Sequence, residues 1–256
     1  MRNVRYYKDF TDDFAVSRNQ DIKLDENYEH IKTDFLSKIS SAVIYFLAIV
    51  FSSVYLKLFL HVKFSGKEKF KRVGGGFFIY GNHTQSVGDV FIPAIAALPR
   101  RIYTIVSPAN YGIPVIGKIL RPLGALPIIP TVKGIKNLEA AIKQRAEDNH
   151  PIVIYPEAHV WDYYTGIRPF PDTSFKYPAR LNMPVFSMTA TYKRSKLLKK
   201  PVIDVKIDGP FYPEGETLKG KAADLHNKVY SSMINRTKES NYDYIEYKKE
   251  NSAETV

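Results

Sequence analysis

The sequence predicts an α/β domain in which a layered sheet is flanked by helices. From Gly74 onward, short apolar runs alternate with stretches of helical periodicity, the rhythm of a sheet whose strands are joined by helices. The chain has 256 residues, 45% of them hydrophobic, and is long enough to bury one sizeable core. Polar residues follow two of the apolar runs, and α/β proteins place their sites at such strand ends.

The pattern predicts an α/β domain over residues 73–240. Strands are predicted near 77–80, 102–106, 126–129, 152–155, 185–192 and 202–207, and helices near 90–97, 115–120, 135–147 and 174–181. After Pro210 we expect no further strands. Residues 219–238 read as an amphipathic closing helix, and 241–256 as a charged, frayed tail.

Residues 1–38 are polar, with seven Lys or Arg against eight Asp or Glu. Arg2 and Arg5 precede no apolar run within signal-peptide distance, so no secretory signal is expected. We expect a partly ordered arm that packs on the domain.

Residues 39–56 run for 18 positions without a charge. A bilayer span takes about 20 residues, so a single span, a re-entrant hairpin and an interfacial helix all remain open, as does a buried core helix. We interpret 39–72 as a membrane-associating helical segment followed by a basic stretch. That stretch contains Lys57, Lys63, Lys67, Lys69, Lys71 and Arg72.

Basic residues beside an apolar segment favour anionic lipid and the cytoplasmic face of a membrane. We therefore expect a membrane-associated protein on that face, with membrane lipids as partners. Nucleic acid is the rival explanation of a pI near 9.5, but the basic run has no interleaved stacking aromatics, so no nucleic-acid partner is expected. The absence of cysteine excludes thiol nucleophiles, disulfides and thiolate metal sites.

His83 and Asp89 are the first candidates for catalysis. His83 follows the predicted strand at 77–80, and Asp89 stands where the next helix starts. A carboxylate that orients an imidazole makes a base able to take a proton from a hydroxyl. The alternative is a loop histidine next to a helix N-cap, since Asp is a preferred cap.

Glu157 and His159 follow the predicted strand at 152–155. A metal site built from these two residues with His83 and Asp89 is disfavoured, because no pair of ligands has helical i, i+4 spacing. We expect no metal and no bound cofactor.

Three ordered segments resemble the glycerolipid acyltransferase family of PlsC-like enzymes. They are Asn82-His83 with Asp89, then Tyr155-Pro156-Glu157-Ala158, then Asn182-Met183-Pro184-Val185-Phe186. The resemblance implies transfer of a fatty acyl chain from a thioester, acyl-CoA or acyl carrier protein, to a hydroxyl of lysophosphatidic acid or a related glycerolipid in phospholipid synthesis. It also implies His83 as base, Asp89 as its orienting partner, and Asn82, Glu157 and His159 as substrate-binding residues.

The sequence departs from the family pattern at three places. One is the segment after the glutamate, where the family's Gly-Thr-Arg-Ser reads Ala158-His159-Val160-Trp161. Five residues separate His83 from Asp89 where the family has four, and we expect Gly88 to absorb the extra residue as a bulge or at positive φ. Pro130 stands where the family carries an arginine for the acceptor phosphate. Candidate replacements are Arg121, Lys133 and Arg168, and Arg168 is favoured. These departures leave open a catalytically silent lipid-binding relative.

Overall fold

A computed structural model describes residues 3–14 and 22–250 and confirms the predicted α/β class. The strands are β1 Asn3–Tyr7, β2 Lys63–Ser65, β3 Phe78–Gly81, β4 Tyr103–Val106, β5 Ala125–Pro127, β6 Ile152–Ile154, β7 Val185–Lys193, β8 Val202–Phe211 and β9 Ile245–Lys249. The helices are α1 Phe35–Leu58, α2 Gly88–Ala96, α3 Ile116–Ile119, α4 Val132–Glu147, α5 Lys176–Leu181 and α6 Leu218–Thr237.

Strands β2 to β8 form one seven-stranded sheet in the order β2-β8-β7-β3-β6-β4-β5. All neighbours are parallel except β7 and β8, which are antiparallel. β3 lies between β7 and β6, and each of its four residues is buried. Parallel strands end at the same edge of a sheet, so the residues that follow β3 and β6 meet there.

The predicted strands and helices of the domain are all present, with shifts of a few residues at their ends. The predicted helix over 174–181 is divided into a 3-10 turn, Asp172–Phe175, and α5. Pro178 explains this division, since proline fits the first turn of an α-helix and breaks its interior.

Two predicted boundaries are wrong. The sheet begins before residue 73, because β2 pairs with β8. The prediction that strands stop after Pro210 also fails, because residues 245–249 of the supposed frayed tail form β9, which pairs in parallel with β1. In the N-terminal arm, the Tyr7 ring of β1 lies 4.8 Å from the ring of Trp161, between centroids. These two strands form a separate ribbon from the chain ends, named here the terminal ribbon.

Helix α1 contains the uncharged stretch and starts after Asp34, whose side chain accepts a hydrogen bond from the Ser37 N–H. By length and composition it is able to cross a membrane. It contacts the domain over much of its length: Tyr45 Oη accepts the Ile102 N–H near the middle of the helix, and Leu56 is buried near its C-terminal end. Its outer face exposes Phe35, Leu36, Ile39, Val43, Phe46, Leu47, Val50, Val54 and Leu58. The interpretation as a buried core helix is therefore wrong.

Candidate active site

His83 and Asp89 lie together at the end of β3. The His83 Nδ1 and Asp89 Oδ2 atoms are 2.8 Å apart. The His83 side chain is 21% exposed and that of Asp89 is 5% exposed. Within the described residues, no group hydrogen-bonds to His83 Nε2. The imidazole is thus held by one nitrogen and can offer the other to a substrate.

Hydrogen bonds of both its side chain and its main chain hold Asp89 in position. Its carboxylate accepts the Gln85 N–H at 2.9 Å as well as His83, and its own N–H donates to Gln85 O at 3.1 Å. Burial raises the pKa of the Asp89 carboxyl, and the hydrogen bonds with His83 and Gln85 oppose that rise. The helix cap is Val87, which makes no side-chain cap bond, so the interpretation of Asp89 as N-cap is wrong.

The expectation that Gly88 forms a bulge or has a positive φ is also wrong. Gly88 is the first residue of α2 and is not among the described glycines at positive φ. A Cβ on Gly88 would lie 2.9 Å from Gln85 Cβ and 3.1 Å from Leu60 Cδ1, so glycine is needed here for close packing. Residues 86 and 87 form the turn that precedes α2.

Asn82 connects the His83 loop, residues 82–87 between β3 and α2, to β7. Its side-chain amide donates to Ala190 O at 3.1 Å, and its oxygen accepts the Ala190 N–H at 2.8 Å. Both ends of the amide are therefore used, and the residue is buried. This corrects the expectation that Asn82 binds substrate: it positions the backbone that carries His83.

Glu157 and Arg168 form a buried ion pair beside the loop. Arg168 Nη2 lies 2.8 Å from Glu157 Oε2, and the two side chains are 1% and 0% exposed. Glu157 also accepts the Arg168 N–H at 3.2 Å and, at 3.4 Å, the N–H of His83. Glu157 therefore supports the His83 backbone, which corrects the expectation that it binds substrate.

The burial of Arg168 in this ion pair contradicts the prediction that Arg168 binds the acceptor phosphate. Arg168 is fully buried, and its guanidinium donates to Glu157 and to the carbonyl oxygens of Phe10 and His159. A guanidinium with these partners has no free edge with which to grip a phosphate. The sequence did not predict this ion pair, because Arg168 and Glu157 are equally plausible as residues that line a pocket.

In the part of the chain that the structure describes, no hydrogen bond or ion pair joins the remaining candidates to the His83 loop. Arg121 lies against Tyr28, with its guanidinium 4.1 Å from the ring centroid and its Nε donating to the hydroxyl. Lys133 Nζ donates to the Asn27 side chain. His159 is partly exposed, and its Nδ1 lies 3.4 Å from the carboxylate of Asp13.

Tyr155 is a site residue that the sequence analysis missed. Its ring stacks on the His83 imidazole, with centroids 4.6 Å apart and planes inclined by 22°. Burial raises its pKa well above the usual value, so the phenol stays protonated and acts as a donor. Gly81 makes room for it, since a Cβ there would lie 2.6 Å from the Tyr155 ring. A glycine just before Asn-His was the available signal.

Trp161 is a second residue that was missed, and it joins the site to the terminal ribbon. It is fully buried, and the rings of Tyr7, Phe10, Phe14, Tyr164 and Tyr247 surround it. Its main-chain N–H donates to His83 O at 3.0 Å. Next to it, Asp162 accepts the Ser86 hydroxyl at 2.6 Å and the Ser86 N–H at 3.0 Å. The loop after β6 therefore holds the His83 loop in place.

A histidine oriented by a buried carboxylate at the end of a parallel strand defines an enzyme site able to deprotonate an acceptor group. A family model described as Acyltransferase matches residues 61–191, just over half of the chain. The chain belongs to the Acyltransferase family. The matched segment contains the histidine, the carboxylate and the buried ion pair, together with all strands of the large sheet from β2 to most of β7.

Among solved structures, the fold is similar to the 1-acyl-sn-glycerophosphate (LPA) acyltransferase PlsC from Thermotoga maritima. The two chains are 16% identical, with a TM-score of 0.58, and the match covers 82% of this chain and 84% of that one. At this identity the likeness establishes the fold. No curated protein gives a significant match.

Proposed function

We propose that this acyltransferase moves a fatty acyl chain from a thioester, acyl-CoA or acyl carrier protein, to a hydroxyl of lysophosphatidic acid or a related glycerolipid. The observation that carries the proposal is the His83–Asp89 pair, which keeps its hydrogen bond despite the longer spacing and leaves Nε2 free. Membership of the Acyltransferase family supports the reaction type. Phospholipid synthesis is the pathway such a product would enter.

The ionised Asp89 carboxylate can only accept, so His83 carries its proton on Nδ1 and Nε2 is the basic nitrogen. Nε2 takes the proton of the acceptor hydroxyl as the oxygen attacks the thioester carbon, which gives a tetrahedral oxyanion. Collapse breaks the carbon–sulfur bond, and the imidazolium returns its proton to the departing thiolate. Asp89 stabilises the transient imidazolium, as a carboxylate does in other oriented histidine sites.

The chemical class of the acceptor depends on whether the protein offers a cation to a phosphate group. Arg168, Arg121 and Lys133 all have partners within the protein, so none of the three replaces the family's phosphate-binding arginine without rearranging. A phosphate-bearing acceptor then depends on other cations, and an acceptor without phosphate needs none. Comparing lysophosphatidic acid with an uncharged monoacylglycerol as acceptor distinguishes the two classes.

We propose that α1 attaches the protein in the plane of the membrane, and the basic stretch after this helix favours the cytoplasmic side. A spanning helix would leave the domain, whereas α1 contacts it from Tyr45 to Leu56 and exposes apolar side chains only on its outer face. Such a helix lies at the headgroup boundary with its apolar face in the lipid. The C-terminal end of α1 lies close to the start of α2, where a Cβ on Gly88 would be 3.1 Å from Leu60 Cδ1.

Acyl transfer by the purified full-length protein tests the proposal directly. The protein is incubated with acyl-CoA, or with acyl-loaded carrier protein, and with each acceptor in mixed micelles, and the acylated product is measured by mass spectrometry. Product formation that depends on His83 supports the proposal. Vesicle binding without any product from either donor would instead identify a catalytically silent lipid-binding relative.

A further inference from the structure

The loop between β7 and β8, residues 194–201, has an unusual surface, and it is named here the lysine loop. It carries four basic residues and no acid: Arg194, Lys196, Lys199 and Lys200. Between them Leu197 is 96% exposed, the highest value among the exposed large hydrophobic residues described. A leucine in this position loses the stabilisation that burial would give it.

The exposed leucine is held out by local hydrogen bonds. The Ser195 hydroxyl oxygen accepts the N–H groups of Leu197 at 3.2 Å and of Leu198 at 3.1 Å. This turn directs Leu198 toward the protein, where it is half-buried, and leaves Leu197 outside. The projection is therefore a feature of the loop conformation.

The lysine loop faces the end of α1 across a cleft of about 410 Å³. The walls are apolar on one side and cationic at the rim, and they comprise Tyr55, Leu58, Phe59, Leu60, His61, Leu198, Lys199 and Lys200. Leu58 and Phe59 are also exposed at the end of the apolar face of α1. The cleft and the apolar face are continuous.

Some lysines outside this loop are paired with carboxylates. Lys206 and Lys228 each pair with two carboxylates, and Lys69 pairs with Asp208. Among the described residues, no acid pairs with Lys196, Lys199 or Lys200, and all three are exposed. Their charge is therefore free to meet an external anion.

We infer that the lysine loop and the end of α1 form a binding site for an anionic phospholipid. Lys199 and Lys200 meet the phosphate at the rim, a lipid chain lies along Leu58 and Phe59, and Leu197 inserts into the same leaflet. Apolar side chains beside unpaired cations match a molecule that is itself apolar with an anionic head. The inference rests on the membrane attachment proposed above and adds a second contact on a different element.

Vesicle flotation with the full-length protein tests this site. The vesicles contain phosphatidylcholine alone or with one third phosphatidylglycerol, and the variants are Lys199→Gln/Lys200→Gln and Leu197→Ser. Each lysine near an anionic surface contributes about 1 kcal/mol, so the double variant should bind anionic vesicles at least tenfold more weakly, and neutral vesicles almost unchanged. Leu197→Ser should weaken binding to both kinds of vesicle.

Lys219→Gln/Lys221→Gln is the matched control, since it removes the same charge from α6, which packs on the opposite face of the sheet from α1. Equal binding of the control and the lysine-loop variant to anionic vesicles would overturn the inference. If the wild-type protein binds neither vesicle, the proposed membrane attachment fails as well. Preferential binding of single-stranded nucleic acid through Lys199 and Lys200 would assign the loop to another partner and also overturn it.

Discussion

The hydroxyl of Tyr155 donates a hydrogen bond to the main-chain oxygen of Asp89 at 2.6 Å. In a regular helix that oxygen would accept the N–H four residues later, but the residue there is Pro93, which has none. Tyr155 therefore satisfies the orphaned carbonyl of Asp89 while its ring stacks on His83. One side chain directly after β6 thus supports both members of the catalytic pair.

Replacing Tyr155 should separate these two contributions. Tyr155→Phe keeps the ring on His83 but leaves the Asp89 oxygen without its partner, a loss of about 1–3 kcal/mol in unfolding free energy with kcat reduced less than tenfold. Tyr155→Leu also removes the ring and should lower kcat further than Tyr155→Phe. Denaturant unfolding and steady-state kinetics measure the two effects, and full activity in Tyr155→Leu would contradict the positioning role.

The catalytic pair gives the most direct prediction. His83→Ala should leave the fold intact and reduce acyl transfer by about 10²–10⁴-fold, the contribution of a positioned base. Asp89→Asn should cost less than His83→Ala, because it spoils the tautomer and orientation of His83 without removing the base. Rates measured at saturating donor decide this, and circular dichroism checks the fold. Activity of His83→Ala above about a tenth of wild type would rule out the role of His83.

The sequence predicted six of the seven strands of the large sheet, all except β2, and the pairing of His83 with Asp89, because these depend on local patterns. Apolar runs mark strands that are buried on both faces, and His83 and Asp89 are six positions apart. The partners of Arg168 and Asn82 were not predictable, since they come from elements distant in the chain. β9 was missed because its residues, Ile-Glu-Tyr-Lys-Lys, carry too much charge to read as a strand.

The terminal ribbon provides a spectroscopic prediction, because Trp161 is the single tryptophan of the chain. It is fully buried, and Tyr247 of β9 stacks on it with ring centroids 4.9 Å apart. A chain that ends at Tyr244 lacks β9, so Trp161 emission should shift to longer wavelength and acrylamide quenching should increase. The control Glu250→Gln, which lies beyond β9, should change neither. An unchanged spectrum in the truncated chain would show that the ribbon does not shield Trp161.

Asp208 gives a prediction about pH. Hydrogen bonds from Arg236 lower the pKa of the Asp208 carboxyl below its usual value of 3.8, with Lys69 adding to the effect. A depressed pKa in the folded state stabilises the protein above the unfolded value, and this contribution is lost as the pH falls through the folded value. Arg236→Gln should therefore be less stable than wild type at pH 6, and the difference should shrink below about pH 4. A difference in unfolding free energy that stays constant between these pH values would contradict the assignment.

Arg168 and Arg180 offer a comparison of two ion pairs with the same separation in different surroundings. The Arg168–Glu157 and Arg180–Glu139 pairs both have an N–O distance of 2.8 Å, but the arginine side chains are 1% and 51% exposed. Arg168→Ala leaves a carboxylate buried without its partner, which costs about 3–5 kcal/mol of unfolding free energy, whereas exposed pairs contribute about 0–1 kcal/mol. We therefore expect Arg168→Ala to lower the denaturation midpoint strongly and Arg180→Ala to leave it nearly unchanged.

Because Glu157 also accepts the His83 N–H, any activity that Arg168→Ala retains should fall equally for phosphorylated and uncharged acceptors. A rise in KM confined to phosphorylated acceptors, with stability unchanged, would restore Arg168 as a phosphate ligand.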